Sequence, residues 1–222
     1  MEKLDIKNYL FYDGYDLKNE NLENVNYISN FLKEVNEIVF NNEGAITIIP
    51  YFDGKIKEDG GVSGIILGSN FHFTCHSFCY KETIFIDYYG NDSKKALVFD
   101  LIKRNFKTEN FDLGSTDVKG NFGKHIIIKA FPLLLDEAIN KIKTILKNIT
   151  MTPISELLIK NEDKTNFDIL QPIAESHISF HQHDDLLVID VFSCKYFDIE
   201  KVLELFLKIY DIEEINRGIQ YK

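Results

Sequence analysis

The sequence predicts an α+β protein: a four-layer αββα sandwich built from two related halves, each reading β-α-β-β-α-(β). Three observations carry this reading. One motif recurs at a fixed offset, each copy is followed by a strand and a capped helix, and a polar glycine-containing stretch separates the copies. The motif is Ser69-Asn70-Phe71-His72-Phe73-Thr74-Cys75-His76 in the first half and Ala174-Glu175-Ser176-His177-Ile178-Ser179-Phe180-His181 in the second. From 72 to 177 and from 76 to 181 the offset is the same 105 residues. Phe71 stands where the second copy has Ser176, so only one half has the serine. A duplication with one serine implies a single composite active site.

In the first half, residues 26–40 read as a helix and 45–50 as a strand. Residues 83–90 form a strand that leads into a helix over 92–103, with Asp92 at the N-cap position. The segment 112–120 is the linker, which sets the halves at 1–117 and 120–222. In the second half, 124–131 is a strand, and Ala138, Ile139, Ile142, Ile145 and Leu146 form the apolar stripe of a helix over 136–149. Residues 186–194 form a strand, and Asp198 caps a helix running to about Tyr210. Each sheet has one face covered by helices and must bury the other, which predicts sheet-on-sheet packing.

Composition narrows the function classes. The formal net charge of −10 argues against nucleic acid, whose phosphates need clustered Lys and Arg. No apolar run approaches the roughly 18 residues of a membrane span, and the N-terminus has no signal-peptide core. Three cysteines without an export signal predict no disulfide framework and a cytoplasmic protein. His72 and His76 alternate in parity with Cys75 and Cys79, so these four cannot converge on one ion, and no metal site is expected. His125 reads as structural or exposed. Period-two geometry sets His177, Ser179 and His181 on one strand face, with Ile178 and Phe180 on the other. Ser176 has the second parity and can meet His181 only if the chain turns at the strand's start.

Glu175-Ser176-His177-Ile178-Ser179-Phe180-His181, followed by Asp190-Val191-Phe192-Ser193-Cys194, resembles the S-adenosylmethionine decarboxylase family, especially its small bacterial and archaeal form. Phe122-Gly123-Lys124-His125, Arg217-Gly218 and, in the first half, Gly61-Val62-Ser63-Gly64 extend the likeness over nearly the whole chain. The resemblance implies a pyruvoyl enzyme made by self-cleavage between Glu175 and Ser176. In that family the serine hydroxyl attacks the preceding carbonyl, and β-elimination then leaves the covalent cofactor at the new N-terminus. Residue by residue, Ser176 becomes the pyruvoyl group, His181 assists processing, Cys194 donates the proton after decarboxylation, and Ser63 joins the site from the other half. The implied reaction is decarboxylation of S-adenosylmethionine for spermidine synthesis, by a monomer of fused halves or a homodimer.

The chain departs from the family after the second histidine, where Gln182-His183-Asp184-Asp185 replaces a Thr-x-Pro-Glu stretch. Asp184 or Asp185 is then the candidate for gripping ribose hydroxyls. With no tryptophan in the chain, adenine stacking falls to Tyr51, Phe52 or Phe78. Two alternatives follow: a pyruvoyl decarboxylase of ornithine or arginine, and an inactive regulatory paralogue that binds a partner.

Overall fold

A computed structural model describes residues 8–18, 20–51, 60–113, 124–149, 151–174, 176–193, 198–210 and 216–220. The chain divides into two compact units, with Lys7–Gly114 forming one and Ser115–Lys222 lying in the other. The first contains β1 (Tyr9–Gly14), α1 (Val25–Phe40), β2 (Ala45–Tyr51), β3 (Gly61–Gly68), β4 (Phe71–Phe78), β5 (Thr83–Tyr89), α2 (Lys95–Asn105) and β6 (Phe111–Asp112). The second contains β7 (Lys124–Ala130), α3 (Leu135–Ile149), β8 (Leu158–Asn161), β9 (Phe167–Ile173), β10 (Ser176–His183), β11 (Leu186–Ser193), α4 (Ile199–Tyr210) and β12 (Asn216–Gln220).

The strand orders are the same. Sheet one runs β2-β3-β4-β5-β1-β6 and sheet two β8-β9-β10-β11-β7-β12, antiparallel throughout. An α+β fold with two related halves is therefore what the chain adopts. Each half has six strands where the sequence predicts three or four. β3 is bounded and interrupted by glycines, which weaken a strand's sequence signal. β9 contains Pro172, a residue that argues against strand. Its missing donor costs nothing here: β8 pairs β9 only as far as Leu170, and the Pro172 carbonyl still accepts from Ile154 N.

Helices explain which face of each sheet is greasy. In the first unit α1 buries Ile28, Phe31, Leu32, Val35 and Val39, and α2 buries Val98, Leu101 and Ile102. Both pack on Val62, Ile66, Phe73, Cys75, Ile84 and Ile86, the alternate residues of β3, β4 and β5. Gly64 lies where α1 comes closest: a Cβ there would sit 2.6 Å from Leu32 Cδ1. In the second unit Ala138, Ile142, Ile145, Val202, Leu203 and Phe206 cover Ile126, Ile128, Ile169, Ile178, Phe180, Ile189 and Val191.

Caps fix the helix starts. Asn24 Oδ1 accepts from the backbone N–H groups of Asn26 and Tyr27 at 3.0 and 3.1 Å, opening α1. Asp198 caps α4 as its sequence position predicts, accepting from Lys201 N at 3.3 Å. Asp92 does not cap α2. A short 3₁₀ turn over Asp92–Lys94 intervenes, and Asn91 Oδ1 caps that turn through Ser93 N at 3.0 Å.

Candidate active site

β10 lies between β9 and β11, with Ser176 its first residue, paired with Ile173 and Ser193. Ser176 is buried and its hydroxyl donates to Ser193 Oγ at 3.3 Å. It shares the parity of Ile178 and Phe180, the helix-facing residues, while His177, Ser179 and His181 take the opposite face. The ladder is unbroken from Ser176 to Gln182, so the chain makes no turn at the strand's start. Five residues of strand separate Ser176 from His181 by about 16 Å. Within this half the two are not brought together.

His181 is engaged elsewhere. Its Nδ1 lies 2.6 Å from Asp168 Oδ1, directly opposite on β9, and His183 Nε2 reaches the same carboxylate at 3.0 Å. Asp168 and His181 are both buried. This carboxylate holds its two imidazoles in place and leaves His181 oriented by a charge rather than by a hydroxyl.

The equivalent position in the first half has different chemistry. Ser63 and His76 pair across β3 and β4 as Asp168 and His181 pair across β9 and β10. Ser63 Oγ and His76 Nδ1 are hydrogen-bonded at 2.9 Å, both buried. A hydroxyl held by an imidazole is the arrangement that makes serine reactive. The sequence reading singled out Ser63 but not His76. The repeat alone could have pointed to it, since His76 is the counterpart of His181, but the register that sets it opposite Ser63 is seen only in the structure.

Tyr51 and Phe78 gather at this end of the first sheet. They flank Gly61 on either side in register, on the face shared by Ser63 and His76. Phe78 is buried, edge-on to Phe85 at 5.5 Å, and Tyr51 is half-buried. Asp184 and Asp185, by contrast, form the exposed turn between β10 and β11, with Asp184 at φ 54°. That turn is the far end of β10, about 23 Å of strand from Ser176, so neither aspartate reaches a group at Ser176 within this half. Glu175, Cys194 and Phe52 lie outside the described residues.

A second polar cluster occupies the face away from the helices. Asp190 Oδ1 lies 3.0 Å from His125 Nδ1 and Asp190 Oδ2 3.7 Å from His177 Nε2, all fully buried. His125, read as structural or exposed, is thus wholly enclosed. The Phe192 ring stacks on His125 at 4.5 Å and lies 5.5 Å from His177. Burial alone pushes the Asp190 carboxyl up, but His125 and then His177 outweigh it and hold the group below the usual carboxylate range. The first half keeps the aspartate as Asp87, accepting from Thr74 Oγ1 at 3.3 Å, but has Tyr9, Tyr89 and His72 at the register positions of His125, Phe192 and His177. Cys75 lies in the helix-facing core, where burial pushes its thiol up, while His72 and His76 face the other way.

Among the described residues no helix is long and apolar enough to cross a membrane. Comparison with known proteins finds a family model described as S-adenosylmethionine decarboxylase, matching residues 8–117 and 134–218. No curated protein matches the chain. Among solved structures, the adenosylmethionine decarboxylase from Aquifex aeolicus VF5 is similar over 46% of this chain and 91% of its own, at 17% identity and a TM-score of 0.38. An unknown protein from Galdieria sulphuraria is similar over 96% of both chains, at 9% identity and a TM-score of 0.27.

Proposed function

The chain belongs to the S-adenosylmethionine decarboxylase family, and on that premise we propose that it is a self-cleaving, pyruvoyl-dependent decarboxylase of S-adenosylmethionine. The observation that carries the proposal is the asymmetry of the repeat: of two equivalent strand starts, one has Phe71 and the other Ser176, buried with its hydroxyl on Ser193. The cofactor is made from Ser176 itself, so its fit requires only that a serine open the strand, with a neighbouring hydroxyl to hold it.

The chain's own residues would act as follows. Ser176 Oγ adds to the carbonyl carbon of Glu175, the peptide C–N bond breaks, and an ester and a free amine result. Loss of the Ser176 α-proton then expels Glu175 as a carboxylate. Water replaces the resulting enamine nitrogen, which leaves as ammonia. The proposal gives Ser63 and His76 a part in this processing, since a hydroxyl–imidazole pair can shuttle the protons that it moves. The pyruvoyl ketone supplies the electron sink for loss of CO₂. Cys194 is assigned the return of a proton to the decarboxylated carbon, Tyr51 and Phe78 the apolar wall for adenine, and the product serves polyamine synthesis.

Intact-mass analysis tests the proposal. Wild type is expected as two fragments, one ending at Glu175 and one starting at a blocked residue 176. A wild-type chain that stays whole after long incubation at neutral pH would refute it. The Asp184–Asp185 turn at the far end of β10 favours one second reading, a free amino acid as substrate, because neither carboxylate is placed to hold a ribose at Ser176. Release of labelled CO₂ from S-adenosylmethionine, ornithine and arginine at equal concentration decides between the two.

A further inference from the structure

A cleft of about 360 Å³ in the first half is lined by none of the residues assigned to the reaction. Lys18, Arg104 and Lys107 line it, with Tyr27 and Asn105, and no carboxylate does. The chain has 35 acidic residues against 25 Lys and Arg, so three cations around one cleft run against its composition. The end of α2 accounts for one of them, because Arg104 stands in the last turn, where the helix dipole favours a cation. Lys18 and Lys107 lie on loops and have no such local reason.

Both loops are held in place. Leu17 and Phe106, the residues just before the two lysines, are buried in the core of this half. Leu17 N donates to Glu82 O at 2.8 Å, and Thr108 Oγ1 donates to Tyr15 O at 2.6 Å, which laces one loop to the other. Between them the Tyr27 hydroxyl donates to Asn105 O at 2.8 Å, and its ring lies edge-on to Phe106. The ammonium groups themselves are uncommitted: among the described residues, neither Lys18 nor Lys107 has a hydrogen bond or an ion pair. Glu34 accepts from Arg104 and from Asn105 Nδ2, so its charge is balanced by the guanidinium. Two positive charges are left over.

An ammonium is a compact point charge and a guanidinium a rigid fork of donors, and phosphate oxygens accept from both. Two uncompensated charges match a phosphate dianion. The volume lies at the low end of small-molecule sites, which run to roughly 300–1,000 Å³, and leaves room for a short organic body. We propose that this cleft binds a phosphate group, free or carried by a small metabolite, between Lys18 and Lys107. The anion ties the loop before α1 to the loop after α2. All three cations are exposed, so the affinity falls as salt rises. The inference stands apart from the decarboxylase reading.

The test titrates full-length wild type calorimetrically, at low salt, with inorganic phosphate and with glycerol 3-phosphate. Saturable binding at one site is expected, and the tighter of the two ligands tells whether the cleft takes the free ion or an ester. Lys18→Gln and Lys107→Gln, both surface changes, should each weaken it about tenfold, the worth of one hydrogen bond to a charged group. Lys147→Gln, an exposed lysine in the last turn of α3, should leave it unchanged. No saturable binding of either ligand, binding indifferent to both cleft substitutions, or an equal loss in Lys147→Gln overturns the proposal. Cleavage is read separately by mass, so failure of one reading leaves the other standing.

Discussion

In the first half the histidine that closes the repeated frame, His76, meets a serine hydroxyl; in the second its counterpart, His181, meets a carboxylate already shared with His183. The backbone plan is common to both: same strand order, same helix positions, same hairpin register. One side chain at one register position separates an imidazole beside a nucleophile from an imidazole hydrogen-bonded to a carboxylate. The same division recurs at the strand starts, where Phe71 is packed into an aromatic stack and Ser176 into a hydroxyl pair. After duplication the fold constrains apolar, helix-facing positions in both copies alike, whereas the polar face is free to specialise in each.

The sharpest way to break this comparison is to exchange the strand starts. Ser176→Ala is expected to abolish cleavage altogether, read as one undivided mass. The histidines come next. His76→Gln should slow cleavage by about 10²–10⁴-fold, the usual worth of a proton-transfer partner. His181→Gln should leave the cleavage rate within about tenfold while lowering stability by about 3 kcal/mol, because Asp168 loses one of its buried partners. Cleavage time courses and urea melts on both variants check the pair, and the opposite pattern would put His181 back at Ser176.

Phe71→Ser recreates the second half's residue in the first. It should give no cut at residue 71 and cost about 3–5 kcal/mol, as expected when a buried Phe is truncated from its stack with Phe40. A second cleavage seen by mass would show that serine alone makes the site.

The smallest expected effect is on acid stability. Asp190 has its folded carboxyl held below the unfolded value of about 3.9 by its imidazole neighbours. A depressed carboxyl contributes stability that is fully present above the unfolded pKa and is lost as pH falls through the lower folded one. Wild type should therefore lose stability from about pH 5 downward more steeply than Asp190→Asn, measured by urea unfolding between pH 6 and 3. Parallel curves would show that the carboxylate is not held in this way.

Much of this division can be read in the sequence. The repeat is visible because the shared frame lies on β4 and β10, central strands whose side-chain parity leaves alternating histidines and apolar residues in plain view. The rule that Ser176 and His181 have opposite parity needs only period two, and the unbroken ladder bears it out. The Asp168–His181 and Ser63–His76 pairs were hidden, since each joins residues thirteen apart across a hairpin whose register the letters do not state. β3 and β9 were hidden by their glycines and Pro172, and the α2 cap by a single 3₁₀ turn. Asp184 and Asp185 drew attention by standing where the family has Thr-x-Pro-Glu, although two adjacent aspartates between strands are also an ordinary turn signal, and the turn is what they form.

The position of Ser176 as the first residue of β10 has a consequence for how the molecule comes apart. β9 and β10 remain partners from Ile173 to Phe167, and β11 and β7 from Ser193 to Leu187, whether or not the bond before Ser176 is intact. A cut there divides one covalent chain into two threads still woven through the same sheet. The fragments should travel as one particle in native chromatography and part only on unfolding. Unfolding then becomes a dissociation, so the melting temperature of the cut form should rise with protein concentration while that of Ser176→Ala stays fixed.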